Sequence, residues 1–216
     1  MDRNLKLNSL FNEWQNATPE YTEQFIKDGV IDEEQFEEQK PKLLFITKEA
    51  NASSNKSWDF RDNWHQELLY RFDYRIAEWA YGIQNNFPEF DSIYQNKNEY
   101  SNAIKKVAFM DVKKSSGGSQ CDNGLLLQNI KENLSFLHRQ IDIIEPDIII
   151  SSLMDYDTVT MLFPGIEFKK SGYIRCVAKW RNYKIIDFYH PSSQTVPAAS
   201  YSLLQNIYQS NAFKSL

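Results

Sequence analysis

The sequence predicts an α/β protein in which helices cover both faces of a mainly parallel sheet. Three observations lead there. Short apolar runs rich in β-branched residues, at residues 42–51, 107–111 and 147–153, read as buried strands. Helical patterns separate them, the clearest placing Leu126, Ile130, Leu134, Leu137, Ile141 and Ile144 at steps of three and four before Pro146. Polar clusters close three strand ends: Lys48-Glu49-Ala50-Asn51, Asp111-Val112-Lys113-Lys114 and His190-Pro191-Ser192-Ser193. In open sheets of this kind ligands bind beyond the carboxyl ends of the strands, so the three clusters predict one shared cleft.

The bulk composition narrows the function. With 216 residues the chain suits one domain with a sizeable core. A net charge of −5 means that no global basic field advertises nucleic acid, which leaves only a local basic groove for that role. Cys121 and Cys176 lack zinc spacing and any framework of bridges, so reduced thiols, no metal and no cofactor are expected. No apolar run approaches a membrane span, and the amphipathic N-terminus is unlike a signal peptide. A cytoplasmic protein without a membrane partner is the expectation; oligomeric state is not legible.

In chain order, residues 4–38 read as helical and acidic, with Leu7, Leu10, Phe11 and Trp14 at helix-like spacing. The run IDEEQFEEQK reads as a solvated helix face. After Pro41 comes the strand KLLFITKEAN, then a helix or helical pair from Ser57 to Ile83. The strand at 107–111 leads into SSGGSQCDNG, read as a flexible loop. That loop has backbone N–H groups to offer an anion, but not the residue order of a phosphate loop. The helix from Leu125 to Ile144 precedes the central strand DIIISSL, and residues 155–163 read as a short helix. Two strand-like runs flank Arg181-Asn182, the second reaching His190, and a helix over 198–213 closes the chain.

Each candidate residue also has an ordinary reading. Glu49 alone is a carboxylate where a strand opens into a loop, and Asp111 alone is a loop cap. His190 alone is a turn residue before a proline, although better placed than His65 and His138, which fall in predicted helices with packing or surface roles. Trp58 and Phe60 suit a core, a lid or a stacking platform. Gathered in one cleft, a Glu can activate water while a His supports developing charge.

These corners together resemble the uracil-DNA glycosylase superfamily, over about residues 41–210. FITKEANA is similar to the family's first motif (G-E-A-P-G or G-Q-D-P-Y), with Glu49 at the acidic position. VAFMDVKK resembles the second, with Asp111 where Asn is usual, and IIDFYHPSS matches the H-P-S corner. Lys48 stands where the family favours Gly and Asn51 where it favours Pro. The resemblance implies a single domain over 1–216, with a helical extension over 1–40. The fold implied is a three-layer α/β/α with a central, mainly parallel four-stranded sheet. The function implied is hydrolysis of the N-glycosidic bond of a flipped-out base. Glu49 would orient water and His190 would stabilise charge on the leaving base. Ser192 would hold a phosphate through its hydroxyl and backbone N–H, with Ser193 beside it. Lys48, Asn51, Trp58, Phe60, Asp111 and Lys113 would contact the substrate. DNA would dock on a local basic cleft of Lys48, Lys113 and Lys114, flanked by Lys169, Lys170 and Arg175. An ionised Asp111 only accepts hydrogen bonds, so a base offering an amino group fits better than uracil. SQTVPAA, after the H-P-S corner, lacks the large apolar or basic tip that such enzymes wedge into DNA. Two cysteines exclude the iron–sulfur cluster of some branches. The alternatives are a non-catalytic nucleic-acid or nucleotide-binding module, and a hydrolase of free nucleosides or nucleotides.

Overall fold

The computed structural model describes residues 2–51, 56–65, 67–118, 121–153 and 155–216, without the side chains of Asn63 and His65. Its strands are β1 Ile26–Lys27, β2 Gly29–Val30, β3 Leu43–Asn51, β4 Trp58–Asp59, β5 Ala108–Gly117, β6 Ile148–Ser151, β7 Glu167–Lys170, β8 Cys176–Trp180 and β9 Tyr183–Asp187. Its α-helices are α1 Arg3–Ala17, α2 Glu33–Glu37, α3 Arg71–Gln84, α4 Phe90–Ile93, α5 Lys97–Asn102, α6 Asn123–Ile144, α7 Tyr156–Leu162, α8 Pro197–Gln209 and α9 Asn211–Lys214.

Among the described residues the main sheet has seven strands in the order β2-β5-β3-β6-β9-β8-β7, which corrects the four-stranded expectation. The inner four, β5, β3, β6 and β9, run parallel. The additions at the edges are antiparallel: β2 on β5, then β8 and β7 beyond β9. The turn at Arg181-Asn182 explains one of them, since a two-residue connection joins β8 to β9 as a hairpin and a parallel pair would need a long crossover.

Side-chain alternation along the strands builds a core on each face. Leu43, Phe45, Phe109, Ile150 and Ile186 pack with Ile76, Trp79 and Ala80 of α3 and Tyr201 and Leu204 of α8. Leu44, Ile46, Met110, Ile149 and Ile185 pack with Leu7, Phe11 and Trp14 of α1 and Leu126, Ile130 and Leu137 of α6. The layers are therefore helix, sheet, helix. Helix α6 ends where Glu145 turns left-handed (φ 51) ahead of Pro146.

Three local expectations fail for identifiable reasons. Residues 4–38 are not continuously helical: α1 stops at Ala17, Pro19 opens a short 3₁₀ turn, and Gly29 takes φ 130 within β2. The stretch from Ser57 to Ile83 begins with β4, which pairs with β1 outside the main sheet, followed by a 3₁₀ helix at Phe60–His65. Helix α3 starts late because Asp73 Oδ2 accepts the N–H groups of Leu69 (3.0 Å) and Tyr70 (2.9 Å). Ser115, Ser116 and Gly117 are strand rather than loop, with Gly117 paired to Asn51; Ser119 lies outside the described residues. Among the described residues no helix is long and apolar enough to cross a membrane.

Candidate active site

The parallel register brings the predicted corners together at one sheet edge. Thr47 pairs with Asp111 and Glu49 with Lys113, on the face that carries Phe45 and Phe109. Beyond the end of β9, the chain runs through Phe188 to His190, Pro191 and Ser192. A cavity of about 670 Å³ opens there, lined by Thr47, Glu49, Asn51, Asp111, His190 and Ser192 among others. That size is ordinary for a small-molecule site, roughly 300–1,000 Å³. Its remaining wall is aromatic. Phe60 stacks on Phe109 with centroids 4.4 Å apart, Phe72 meets Phe109 edge-on at 5.3 Å, and Trp58 lies 5.8 Å from Phe60. Trp64 and Tyr70 also line it. Phe72, Trp64 and Phe109 were absent from the sequence reading.

Glu49 is held from three sides. Lys113 Nζ lies 3.0 Å from its Oε2. A Cβ added at Gly117 would overlap its carboxylate, so the missing side chain at 117 is what admits it. The Cys121 thiol also faces Glu49; burial and the Glu49 charge push that thiol up to about 11, so it stays protonated, with Sγ donating to Asp122 O at 3.8 Å. One carboxylate thus meets an ammonium, a thiol and a glycine.

Asp111 is 2% exposed and rests on a buried network that the sequence reading missed. The Thr47 hydroxyl donates to its Oδ1. Its own N–H donates to Asp28 Oδ2 at 2.7 Å, where β5 continues past the end of its pairing with β2. Asp28 is fully buried and also receives Lys114 Nζ (2.6 Å) and Gln140 Nε2 (2.5 Å). Lys114, equally buried, has its ammonium 5.4 Å from the Trp14 ring. Removing one partner of such a pair costs about 3–5 kcal/mol, because a charge is left uncompensated. Burial and the Asp28 charge push the Asp111 carboxyl up to about 7. The group is therefore shared between acid and carboxylate near neutrality, not simply ionised.

His190 presents a defined tautomer. The Ser192 N–H donates to its Nδ1 at 3.1 Å, so in the neutral ring the proton sits on Nε2 as a donor. Burial, helped by the Lys48 charge, moves its pKa down, which keeps it neutral. The same bond corrects one expectation: the Ser192 backbone N–H is already engaged and does not await a phosphate. Helix α3 pins the corner, with Arg75 Nη2 donating to Thr195 O (3.0 Å) and Arg71 Nη1 reaching Ser192 O (3.5 Å).

Glu49, Asn51, Trp58, Phe60, Asp111, His190 and Ser192 are thus gathered around one cavity, while Lys48, Lys113 and Ser193 do not line it. Lys48 Nζ donates to Asn123 (2.9 Å) and Ser193 Oγ meets Thr195 Oγ1 (3.1 Å). The predicted basic cleft does not assemble. Lys113 pairs with Glu49, Lys114 is buried on Asp28, Lys169 reaches Ser215, and Arg175 stacks on Tyr189. Lys170 stands exposed on β7, on the other side of β8 from the parallel strands. His138 packs as expected, its Nε2 2.7 Å from Leu162 O, whereas the side chain of His65 is outside the described residues. Among the described residues no group of three His, Cys, Asp or Glu is arranged to hold a metal ion. Comparison with known proteins finds no matching family model, no matching curated protein and no matching solved structure.

Proposed function

We propose that the cavity receives a nucleobase and that the protein hydrolyses the N-glycosidic bond attached to it, as in the glycosylase superfamily its motifs resemble. The observation that carries this is the convergence of Glu49, Asp111 and neutral His190 on one aromatic-walled cavity. Glu49 orients a water and takes its proton as it attacks the sugar carbon. His190 Nε2–H donates to the departing base without itself titrating. A protonated Asp111 offers one O–H donor and one carbonyl acceptor, the same pair that a carboxamide offers. The exchange of the family's Asn for Asp therefore keeps the hydrogen-bond pattern below about pH 7 and drops the donor above it.

A second reading, a free nucleoside as substrate, is favoured by the lining itself. Glu49, Glu67, Asp73 and Asp111 contribute carboxyl groups and no lysine or arginine lines the cavity among the described residues. Lysine and arginine contacts to phosphates supply most of the affinity for DNA and make it fall with salt, and this lining offers neither among the described residues.

Base release from nucleosides and from modified single- and double-stranded DNA tests both. Glu49→Gln should lower release by about 10²–10⁴-fold while ligand binding persists, the usual size of a general-base effect. Release that ignores the substitution would end the hydrolase reading. Salt-dependent DNA affinity would select the glycosylase, and nucleoside turnover without it the small-molecule enzyme.

A further inference from the structure

We propose that the base accepted by this cavity carries a positive charge, as an N-alkylated purine does; the proposal rests on the N-glycosidic reading of the same site. The first ground is charge. Glu49, Glu67, Asp73 and Asp111 line the cavity without a lysine or arginine among the described residues, and the neighbouring Lys113 offsets only Glu49. The second is the aromatic wall of Trp58, Phe60, Phe72 and Phe109, since an aromatic ring attracts a cation that reaches its free face within about 6 Å.

The reaction fits the same charge. When the bond to a neutral pyrimidine breaks, the ring nitrogen keeps the electron pair and the base leaves as an anion, among carboxylates that oppose it. When the bond to a cationic purine breaks, the same pair neutralises the ring and the base leaves uncharged. Water forms the new bond to the sugar carbon and gives its proton to Glu49. No oxidant and no co-reactant beyond water is needed. His190, kept neutral, adds no competing cation.

Asp111 supplies an internal reporter. It faces the Thr47 hydroxyl and Glu49 from β3, Asp28 from the segment before β2, and Lys114 from its own strand; burial and the Asp28 charge hold it partly protonated near neutrality. A bound cation favours its carboxylate over the neutral donor form that serves an uncharged base, so binding of the cation should expel a proton.

The probes are 7-methylguanosine, guanosine and uridine, titrated calorimetrically on the slightly acid side of neutrality in buffers of different ionisation enthalpy. The cationic nucleoside should bind about tenfold or more tighter than guanosine, a difference of about 1.4 kcal/mol, and should release protons. Asp111→Asn, nearly the same shape, should lose the proton release and most of the preference; Glu67→Gln at the exposed rim should weaken the preference and leave the release. Guanosine or uridine binding as tightly as the cation would overturn the proposal, as would unchanged proton release in Asp111→Asn. Selective binding of the cation without base release would support the charge assignment and defeat the hydrolase reading. Release of uracil without preference for the cation would do the reverse.

Discussion

At the scale of single residues, the site depends on which atoms hold protons. The Ser192 N–H fixes the His190 tautomer, and the Lys48 charge joins burial in holding that ring neutral. Lys48 is on β3 but its ammonium is tied to Asn123 in solvent, so it can be removed without opening the core. Lys48→Ala should therefore raise the His190 pKa from its depressed value, a change readable by nitrogen NMR of the imidazole; an unmoved or lowered value would mean that burial alone sets it. Glu49, Asp111 and His190 were legible in the sequence because strand ends in an α/β sheet converge. Asp28 was not, since 83 positions separate it from Asp111, whose N–H it binds, and no period or motif links them. Trp64, Phe72 and Phe109 were hidden for a related reason: an aromatic residue reads as core until the register shows that its ring faces a cavity.

Strands and helices set the next constraint, and the pairing of β3 with β5 is the decisive one. Both strands run on past their apolar segments, and the pairing shifts register between Glu49 and Asn51, close to where Gly117 makes room for the carboxylate. Gly117→Ala should push Glu49 aside and reduce base release nearly as far as Glu49→Gln, because the overlap involves the reacting group itself. The change lies at the end of β5, so thermal stability should fall by no more than about 1–3 kcal/mol, the usual cost of overpacking. A fully active Gly117→Ala enzyme would detach Glu49 from the chemistry. Long elements were readable from periodicity: β6, α6, α7 and the β8–β9 hairpin lie where the pattern puts them. The two-residue strands β1, β2 and β4 carry no period to read. They exist through pairing with distant partners, and β2 carries the chain on from Asp28 along the edge of β5.

For the whole molecule, the buried carboxyl of Asp111 ties global stability to the state of the site. An ordinary aspartate begins near 3.8, whereas burial and Asp28 raise Asp111 to about 7 in the fold. A carboxyl raised on folding contributes stability that is complete below its unfolded value and disappears as pH climbs through its folded value. The protein should thus lose stability between roughly pH 4 and 7 at up to about 1.4 kcal/mol per pH unit. Other groups slope the opposite way. Hydrogen bonds hold the Asp32 and Asp155 carboxyls below the usual range, favouring the fold as pH rises past their ordinary values, so the raw curve mixes both signs. Comparison with Asp111→Asn separates them, since the amide keeps the Thr47 hydrogen bond and cannot ionise. Parent and variant should unfold alike near pH 4, and the variant should become the more stable by a few kcal/mol above pH 7, measured by urea denaturation across the range. A constant difference at every pH would show that Asp111 is charged throughout. In that case the neutral donor invoked for base recognition would have no physical source.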